Sequence, residues 1–462
     1  MKKFIDRYEE QEFLNDEYKK DTSSLVVLYG RRRIGKTALI TEFGKDKEIL
    51  YFLASEESER ENLNAFKNLV AEFTNNELLK HASIDSWDLI FKTLINSNIE
   101  KKKLIIIDEF QYLGKTNTAF PSIFQRIWDT ILKEKNAMVI LCGSLISMME
   151  AQTLSYSSPL YGRRTGQIKL QQIKFQHYHE FFNDKNRKEL IEYYSVTGGV
   201  PKYIEVFYDS KDIYSSIKNN VLSKQSFLYE EPMFLLQNEV SEIGSYFSII
   251  KTIAAGNQKL SKIATALEIK QTSITKYLQT LISLDILERQ VPITEENREK
   301  SKRGLYKIKD NFLAFWFQFV YPNKSFIETE RVDFVMNKIK SNFIDNHVAH
   351  IYEDICIEKM WTLNAENTWN FNFDKVGRFW NNTTEIDVVA FDSTGNDIIF
   401  GECKYTEKKM DTDIFYLLLE KSKEVIWKNN NRREWFVLFS INGFTDEMIK
   451  LASNRNDIVL CD

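Results

Sequence analysis

The 462 residues, 43% apolar and 28% charged, describe ordinary globular material too long for one core, so roughly two to four domains are expected. A formal net charge of −4 excludes a protein that coats nucleic acid over its whole surface, although Lys101-Lys102-Lys103 and the run from Arg298 to Arg303 form local basic stretches. Scattered Cys142, Cys356, Cys403 and Cys461 exclude a disulfide frame or a C-x-x-C zinc site; with no apolar signal core and no membrane-length run, a cytoplasmic protein without a membrane partner is expected.

Phe4-Ile5-Asp6-Arg7, followed by Glu9, Glu12, Phe13 and Leu14, opens an acidic amphipathic helix. The apolar run Ser24 to Tyr29 reads as a strand leading into GRRRIGKT, Gly30 to Thr37, with a helical segment from Ala38 to Phe43 behind it. Strand, glycine loop and helix is the context in which Gly-x4-Gly-Lys-Thr holds phosphate. Backbone N–H groups of Gly30, Arg31, Arg32, Arg33, Ile34, Gly35 and Ala38 would face the anion, Lys36 adds a charge, and the Thr37 hydroxyl can ligate Mg2+. A strand from Glu48 to Ala54 and a helix from Ser58 to Asn75 come next. Lys103 to Ile107 is a buried-type strand ending in Asp108 and Glu109. Asp108 would hold Mg2+ in its second shell or through water, and Glu109 would orient and deprotonate the attacking water.

A further strand, Ala137 to Cys142, runs into Gly143-Ser144, where Ser144 is either a sensor of the γ-phosphate or a plain turn serine. Arg163 lies on a glycine loop, Ser158 to Arg164, ahead of the strand Ile168 to Leu170. It reads as a γ-phosphate contact, in its own site or in that of a neighbour within a homo-oligomer, or as a solvated loop charge. Gly198 to Tyr203, GGVPKY, joins permissive glycines to a rigid proline, as suits a hinge packed near the nucleotide.

Phe4-x-x-Arg7, GRRRIGKT, LIIIDEFQYL, LCGS, SPLYGRR and GGVPKY stand in the order of the archaeal-type ATPases, a STAND-like, AAA+-related branch of the P-loop ATPases, and residues 1–210 resemble that group. The resemblance implies ATP and Mg2+ as cofactors. It also implies a parallel sheet of roughly five strands with helices on both faces and the nucleotide at the strand C-termini. Phe4 and Arg7 would belong to its adenine-contacting F-x-x-R-x-x-E box, and Ser144 would be its sensor. The chain departs from the group in showing no clear second-sensor arginine on a C-terminal lid.

Residues 211–245 are helical in pattern and polar, a linker with Glu230-Glu231-Pro232 as a break. Residues 246–310 read as three short helices and two strands. The helices are Tyr246 to Ala255, Leu260 to Leu267 with Ser261 as N-cap, and Thr272 to Leu284; the strands are Ile286 to Val291 and Gly304 to Ile308. That is the winged-helix order. Its third helix would offer Gln271, Thr272, Ser273, Thr275 and Lys276 to a major groove, and its wing carries Arg298, Lys300, Lys302 and Arg303. DNA is the partner this arrangement suits; contact with a protein is the other reading. The aromatic run Phe312 to Tyr321, within a connector at residues 311–340, reads as buried packing between domains.

Residues 341–462 open on helical material containing Glu353. Thr384 to Phe391 alternates like a strand, Asp392 to Asn396 is turn chemistry, and Asp397 to Lys404 is the return strand. A hairpin symmetric about Thr394-Gly395 sets Asp387 opposite Glu402 and Glu385 opposite Lys404, with Cys403 on the other face. Paired carboxylates with Cβ atoms roughly 5 Å apart repel unless something compensates, and a divalent cation is the natural candidate. An acid followed by Glu-x-Lys on the next strand is the site pattern of PD-(D/E)xK nucleases, here without the proline that usually precedes the acid. In that pattern Asp387, Glu402 and Glu353 would ligate Mg2+, and Lys404 would position water or stabilise phosphorane charge. With YKIKDNFLAFWFQFV, HIYEDIC, EIDVVA and GECKY in place, the whole chain resembles the ATPases carrying a C-terminal DUF234 domain, which implies a restriction-endonuclease-like fold there.

The expectation is a multidomain α/β protein that hydrolyses ATP on a P-loop domain. Nucleotide state would gate a DNA-contacting winged helix and a Mg2+-dependent nuclease-like domain. The alternative is a nucleotide-switched regulator or scaffold that binds DNA or a protein without cleaving it.

Overall fold

A computed structural model describes residues 4–97, 102–209, 211–429 and 431–462; Lys101 of the expected basic stretch lies outside them. The chain forms two compact units. The first runs to Phe181 and adds Gly199–Glu205 and Phe234–Ser241; the second comprises Phe182–Gly198, Val206–Met233 and Glu242–Asp462. This division departs from the expected boundaries at 210 and 245. The helix Arg187–Thr197 packs on the helix Asn311–Phe315 in the second unit. The end of the expected linker packs in the first.

The first unit holds β1 (Ser24–Tyr29), β2 (Ile49–Leu53), β3 (Lys103–Asp108), β4 (Ala137–Gly143) and β5 (Gly166–Lys169), all parallel in the order β2-β3-β4-β1-β5. Every residue of β1, β3 and β4 is buried, so both faces of the sheet centre are covered. Continuous apolar runs such as Leu25-Val26-Val27-Leu28 and Leu104-Ile105-Ile106-Ile107 are what such a sheet requires. Because β4 lies between β1 and β3, the C-terminal ends of all three stand side by side, and Gly30, Ser144 and Glu109 follow directly from them. The expected strands recur with ends moved by a residue or two. Lys102 and Lys103 form no basic surface: Lys102 is buried on the carbonyls of Lys20 and Thr22, and Lys103 on those of Ile95 and Ser97.

In the second unit the helices Ile243–Ala254, Leu260–Leu267 and Gln271–Ser283 precede an antiparallel pair, β6 (Leu287–Gln290) and β7 (Leu305–Ile308). Lys259 bridges to Leu305, which holds it extended, so Lys259 and not Ser261 is the N-cap of the second helix. Arg289 donates to the carbonyls of Arg298 and Ser301 and so fixes the loop between β6 and β7. Arg298, Lys300, Lys302 and Arg303 are exposed on that loop, as are Gln271, Thr272, Ser273 and Lys276 on the third helix; Thr275 is half-buried.

Pro232 does not break the chain's helical path. It sits inside the helix Phe227–Gln237, whose Leu228, Tyr229 and Leu236 are buried and outweigh the one backbone donor lost. The aromatic run is core material within the second unit: Phe247 packs against Trp316, Phe317 and Tyr321, and Phe315 against Phe343.

The chain ends in a mixed sheet of β8 (Lys375–Trp380), β9 (Glu385–Phe391), β10 (Asp397–Lys404), β11 (Arg433–Ser440) and β12 (Ile458–Cys461), ordered β12-β11-β10-β9-β8. Its β9 and β10 form the expected antiparallel hairpin, while β10, β11 and β12 are parallel. Phe400, Phe436 and Leu438 pack with Phe415 and Leu418 of the helix Thr412–Ser422, and the helix Ala349–Ala365 lies against β9 and β10. All four cysteines are free thiols. Among the described residues no helix is long and apolar enough to cross a membrane.

Candidate functional site

The loop after β1 is shaped by its glycines. Gly30 has φ +153° and a Cβ there would lie 2.7 Å from the Leu170 carbonyl oxygen; Gly35 has φ +98°. Both conformations favour glycine. The helix Lys36–Gly44 starts directly behind the loop, so its first N–H groups open on the same space. Lys36 is 7% exposed and donates to the carbonyls of Gly30 and Arg31 at 2.8 and 2.9 Å. Burial draws its pKa below the ordinary lysine value, opposed in part by Glu109 and Asp108.

Lys36, Thr37, Ala38, Gly35, Arg32 and Arg33 line a cleft of about 310 Å³ with Asp108, Glu109, Ser144, Pro201, Lys202 and Glu205. Four cations and three carboxylates thus face one polar space. A buried ammonium that bonds neutral carbonyls, beside a hydroxyl and an Asp-Glu pair, fits a phosphate chain with its divalent cation. Gly30, Arg31 and Ile34 do not line the cleft. Their carbonyls turn back, the first two to Lys36 and that of Ile34 to Arg7.

Arg7 itself, at φ +75°, also reaches the Gln171 carbonyl at 2.5 Å and Glu10 at 3.2 Å. It props the loop from behind, and burial lowers its pKa. The GGVPKY segment reaches this cleft through Pro201 and Lys202. There Gly199 approaches the Ile173 backbone so closely that a Cβ would overlap its carbonyl oxygen.

Glu109 follows β3 in a left-handed conformation, φ +54°. One of its carboxylate oxygens accepts the Ser144 hydroxyl at 2.8 Å and the Ser144 amide at 3.2 Å, and the Gln111 side-chain amide as well. Asp108 accepts the Tyr51 hydroxyl, whose pKa rises through burial and this bond. Tyr51, Gln111 and Glu205 escaped the sequence reading; Tyr51 is an ordinary strand residue until β2 is paired with β3. Arg163 is not brought to the cleft. It pairs with Asp129 at 3.0 Å and donates to the carbonyls of Pro159 and Tyr161, because its loop turns back on itself at Gly162, φ +76°.

The second cluster lies on β9 and β10. Their register matches the expected hairpin from Phe391/Ile398 to Val388/Gly401, and there the ladder ends. Asp387 and Glu402 form no ladder pair, because the Asp387 carboxylate itself accepts the Cys403 amide at 2.9 Å. Glu385 also lies beyond the last β9–β10 pair; it pairs with Trp380 of β8 and binds Arg378 at 2.7 Å.

Buried Glu402 is held by Lys404 at 2.7 Å and by Lys421, from the helix Thr412–Ser422, at 2.9 Å. Glu353, on the helix Ala349–Ala365, is held by Arg378 at 2.8 Å and His350 at 3.3 Å. Burial, then Glu402 and Glu353, push the Asp387 carboxyl up to about 7. Among the described residues no group of three or more His, Cys, Asp or Glu side chains is arranged to hold a metal ion. Of the expected set of Glu353, Asp387 and Glu402, Lys404 and Lys421 pair with Glu402 and Arg378 pairs with Glu353. Lys421 was not foreseen, since nothing in its local sequence points at Glu402.

Residues 4–207 match the family described as an ATPase domain predominantly from Archaea, and residues 316–415 match DUF234, described as archaeal and bacterial proteins of unknown function. Over 429 residues the chain is 38% identical to the uncharacterised protein MJECL04 of Methanocaldococcus jannaschii, covering 91% of this chain and 92% of that one. It is 48% identical over 46 residues to the uncharacterised ATP-binding protein MJ0423 of the same organism, which is 10% of this chain and 78% of that one. Among solved structures, the Walker-type ATPase PABY2304 of Pyrococcus abyssi is similar at 21% identity, covering 68% of this chain and 96% of that one, with a TM-score of 0.49.

Proposed function

The chain belongs to the family of archaeal-type ATPases that carry a C-terminal DUF234 domain, and from that premise we propose that ATP binding and hydrolysis in the phosphate-loop cleft gate a contact with DNA. The observation that carries the proposal is the convergence of Lys36, Thr37, Asp108, Glu109 and Ser144 on one cleft at the ends of three adjacent strands. Loop amides and Lys36 would hold the phosphates, and Thr37 and Asp108 the Mg2+, which supplies charge neutralisation there. Glu109 orients the attacking water and takes its proton, and Ser144 holds the Glu109 carboxylate in place.

Three helices followed by a β-hairpin support a winged helix in the second unit. The exposed ends of its third helix and its basic loop suit DNA, chiefly phosphate contacts. Asp387, Glu402 and Lys404 on an antiparallel hairpin support a nuclease-like domain. The two lysines on Glu402 favour a second reading, a nucleotide-switched regulator that binds DNA or a protein and does not cut.

One experiment separates these readings. Labelled linear and branched DNA is incubated with the full chain and Mg2+, with and without ATP, across a salt series. Cleavage by the wild type that Asp387→Ala abolishes supports the nuclease; cleavage at the wild-type rate in Asp387→Ala removes that role from the hairpin. Salt-dependent binding without cleavage supports the regulator. DNA affinity that ATP leaves unchanged overturns the gating.

A further inference from the structure

We propose that Glu239 is a positioning residue for ATP turnover, tying the loop that carries Ser144 to the chain segment that leaves the ATPase unit. The inference rests on reading the cleft as an ATPase site. Glu239 stands in Phe234–Ser241, a stretch of apparent linker that packs in the first unit. One of its carboxylate oxygens accepts the Ile146 amide at 3.0 Å and the other accepts the Ser147 hydroxyl at 2.9 Å. Those residues come immediately after Ser144 and Leu145, and Ser144 gives both its hydroxyl and its amide to Glu109. A continuous path of hydrogen bonds and short backbone therefore runs from Glu109 through Ser144, Ile146 and Ser147 to Glu239.

Two features set this contact apart from an ordinary surface cap. Both oxygens serve the first two residues of the helix Ile146–Met149, across more than ninety residues of sequence, and burial disfavours the Glu239 carboxylate charge so that its pKa rises. The hydrogen bonds from Ile146 and Ser147 oppose that rise, as does, least of all, the charge of Arg32, which lines the cleft. From Ser241 the chain continues into the helix Ile243–Ala254, the first of the three helices before β6 and β7. A shift of that segment withdraws Glu239 from the loop and loosens Ser144 and Glu109.

The test compares the full-length wild type with Glu239→Ala and Glu239→Gln, using Glu109→Gln as reference. Glu239→Ala should lower kcat for ATP hydrolysis by about tenfold through misplacement of Glu109, with the Kd for ATP within about twofold of wild type. Glu239→Gln keeps an oxygen for the Ile146 amide and a polar partner for Ser147, and should recover at least about half of the activity. Hydrogen exchange at Ile146–Met149 should accelerate about tenfold in Glu239→Ala while the amides of β1 keep their protection. The proposal is overturned by a Glu239→Ala enzyme with wild-type kcat, by equal loss of protection in β1, or by a Gln variant that recovers nothing. Full activity in Glu109→Gln would instead remove Glu109 from the chemistry, whereas a wild type that hydrolyses no ATP would overturn the ATPase reading; the exchange measurement then decides on Glu239 alone.

Discussion

Replacing Lys36 with methionine keeps the apolar stem and removes only the ammonium, which separates two roles the side chain plays. In the folded chain that ammonium is buried and donates to two loop carbonyls at 2.8 and 2.9 Å. Desolvation of the cation offsets much of what those bonds contribute, as the lowered pKa records. Lys36→Met should therefore change stability by no more than about 1–2 kcal/mol, in either direction. Nucleotide binding is another matter, because there the ammonium meets anionic oxygens. Two charge-assisted bonds at about 1.5–3 kcal/mol each amount to a loss of about 3–6 kcal/mol, or at least about a hundredfold in Kd. Calorimetric titration with ATP and Mg2+ measures the second effect and thermal unfolding the first. Binding within threefold of wild type would refute the phosphate-loop assignment. Severe loss of stability with affinity retained in the folded fraction would show that Lys36 is a structural bolt.

Lys421→Met should weaken the second unit by about 1–3 kcal/mol, because it strips one of two charged donors from buried Glu402; an unchanged urea midpoint would show that the pair contributes nothing. Buried His347 predicts a pH dependence. Its Nε2–H donates to the Ser195 carbonyl at 2.7 Å, and burial lowers its pKa from 6.5 to about 4. The unfolded chain therefore takes up this proton at higher pH than the folded one, so the contribution is complete above 6.5 and is lost as pH falls through 6.5 towards 4. The loss amounts to about 3 kcal/mol across that window. Unfolding free energies at pH 7.5 and 5, for wild type and His347→Gln, check it: the variant should lose that part of the slope, and an identical slope refutes the assignment.

Much of the first unit was legible because its signals are local. A strand buried on both faces must be an unbroken apolar run, and β1, β3 and β4 are such runs. A loop that turns backbone N–H groups on an anion needs left-handed backbone, which marks Gly30 and Gly35. The β9–β10 register was equally legible, since turn residues and strand alternation set it without reference to the rest of the chain. Local chemistry misled where a distant partner intervened. Lys102 looks solvated until the carbonyls of Lys20 and Thr22 bury it, and Ser261 looks like a cap until Lys259 pairs with Leu305.

By itself, then, the sequence determined the phosphate-loop motif, the Asp108-Glu109 pair, the apolar strands that lead into them and the acid-bearing hairpin, because each is written in contiguous residues whose backbone or burial demands are specific. Tertiary structure alone decided how the charges are satisfied. It laid Tyr51 on Asp108, set Ser144 and Gln111 on Glu109, brought Glu239 back to the loop beyond Ser144, and placed Lys421 on Glu402 where a cation was expected. A buried charge finds its partner through space, and spacing along the chain carries no record of which residue that will be.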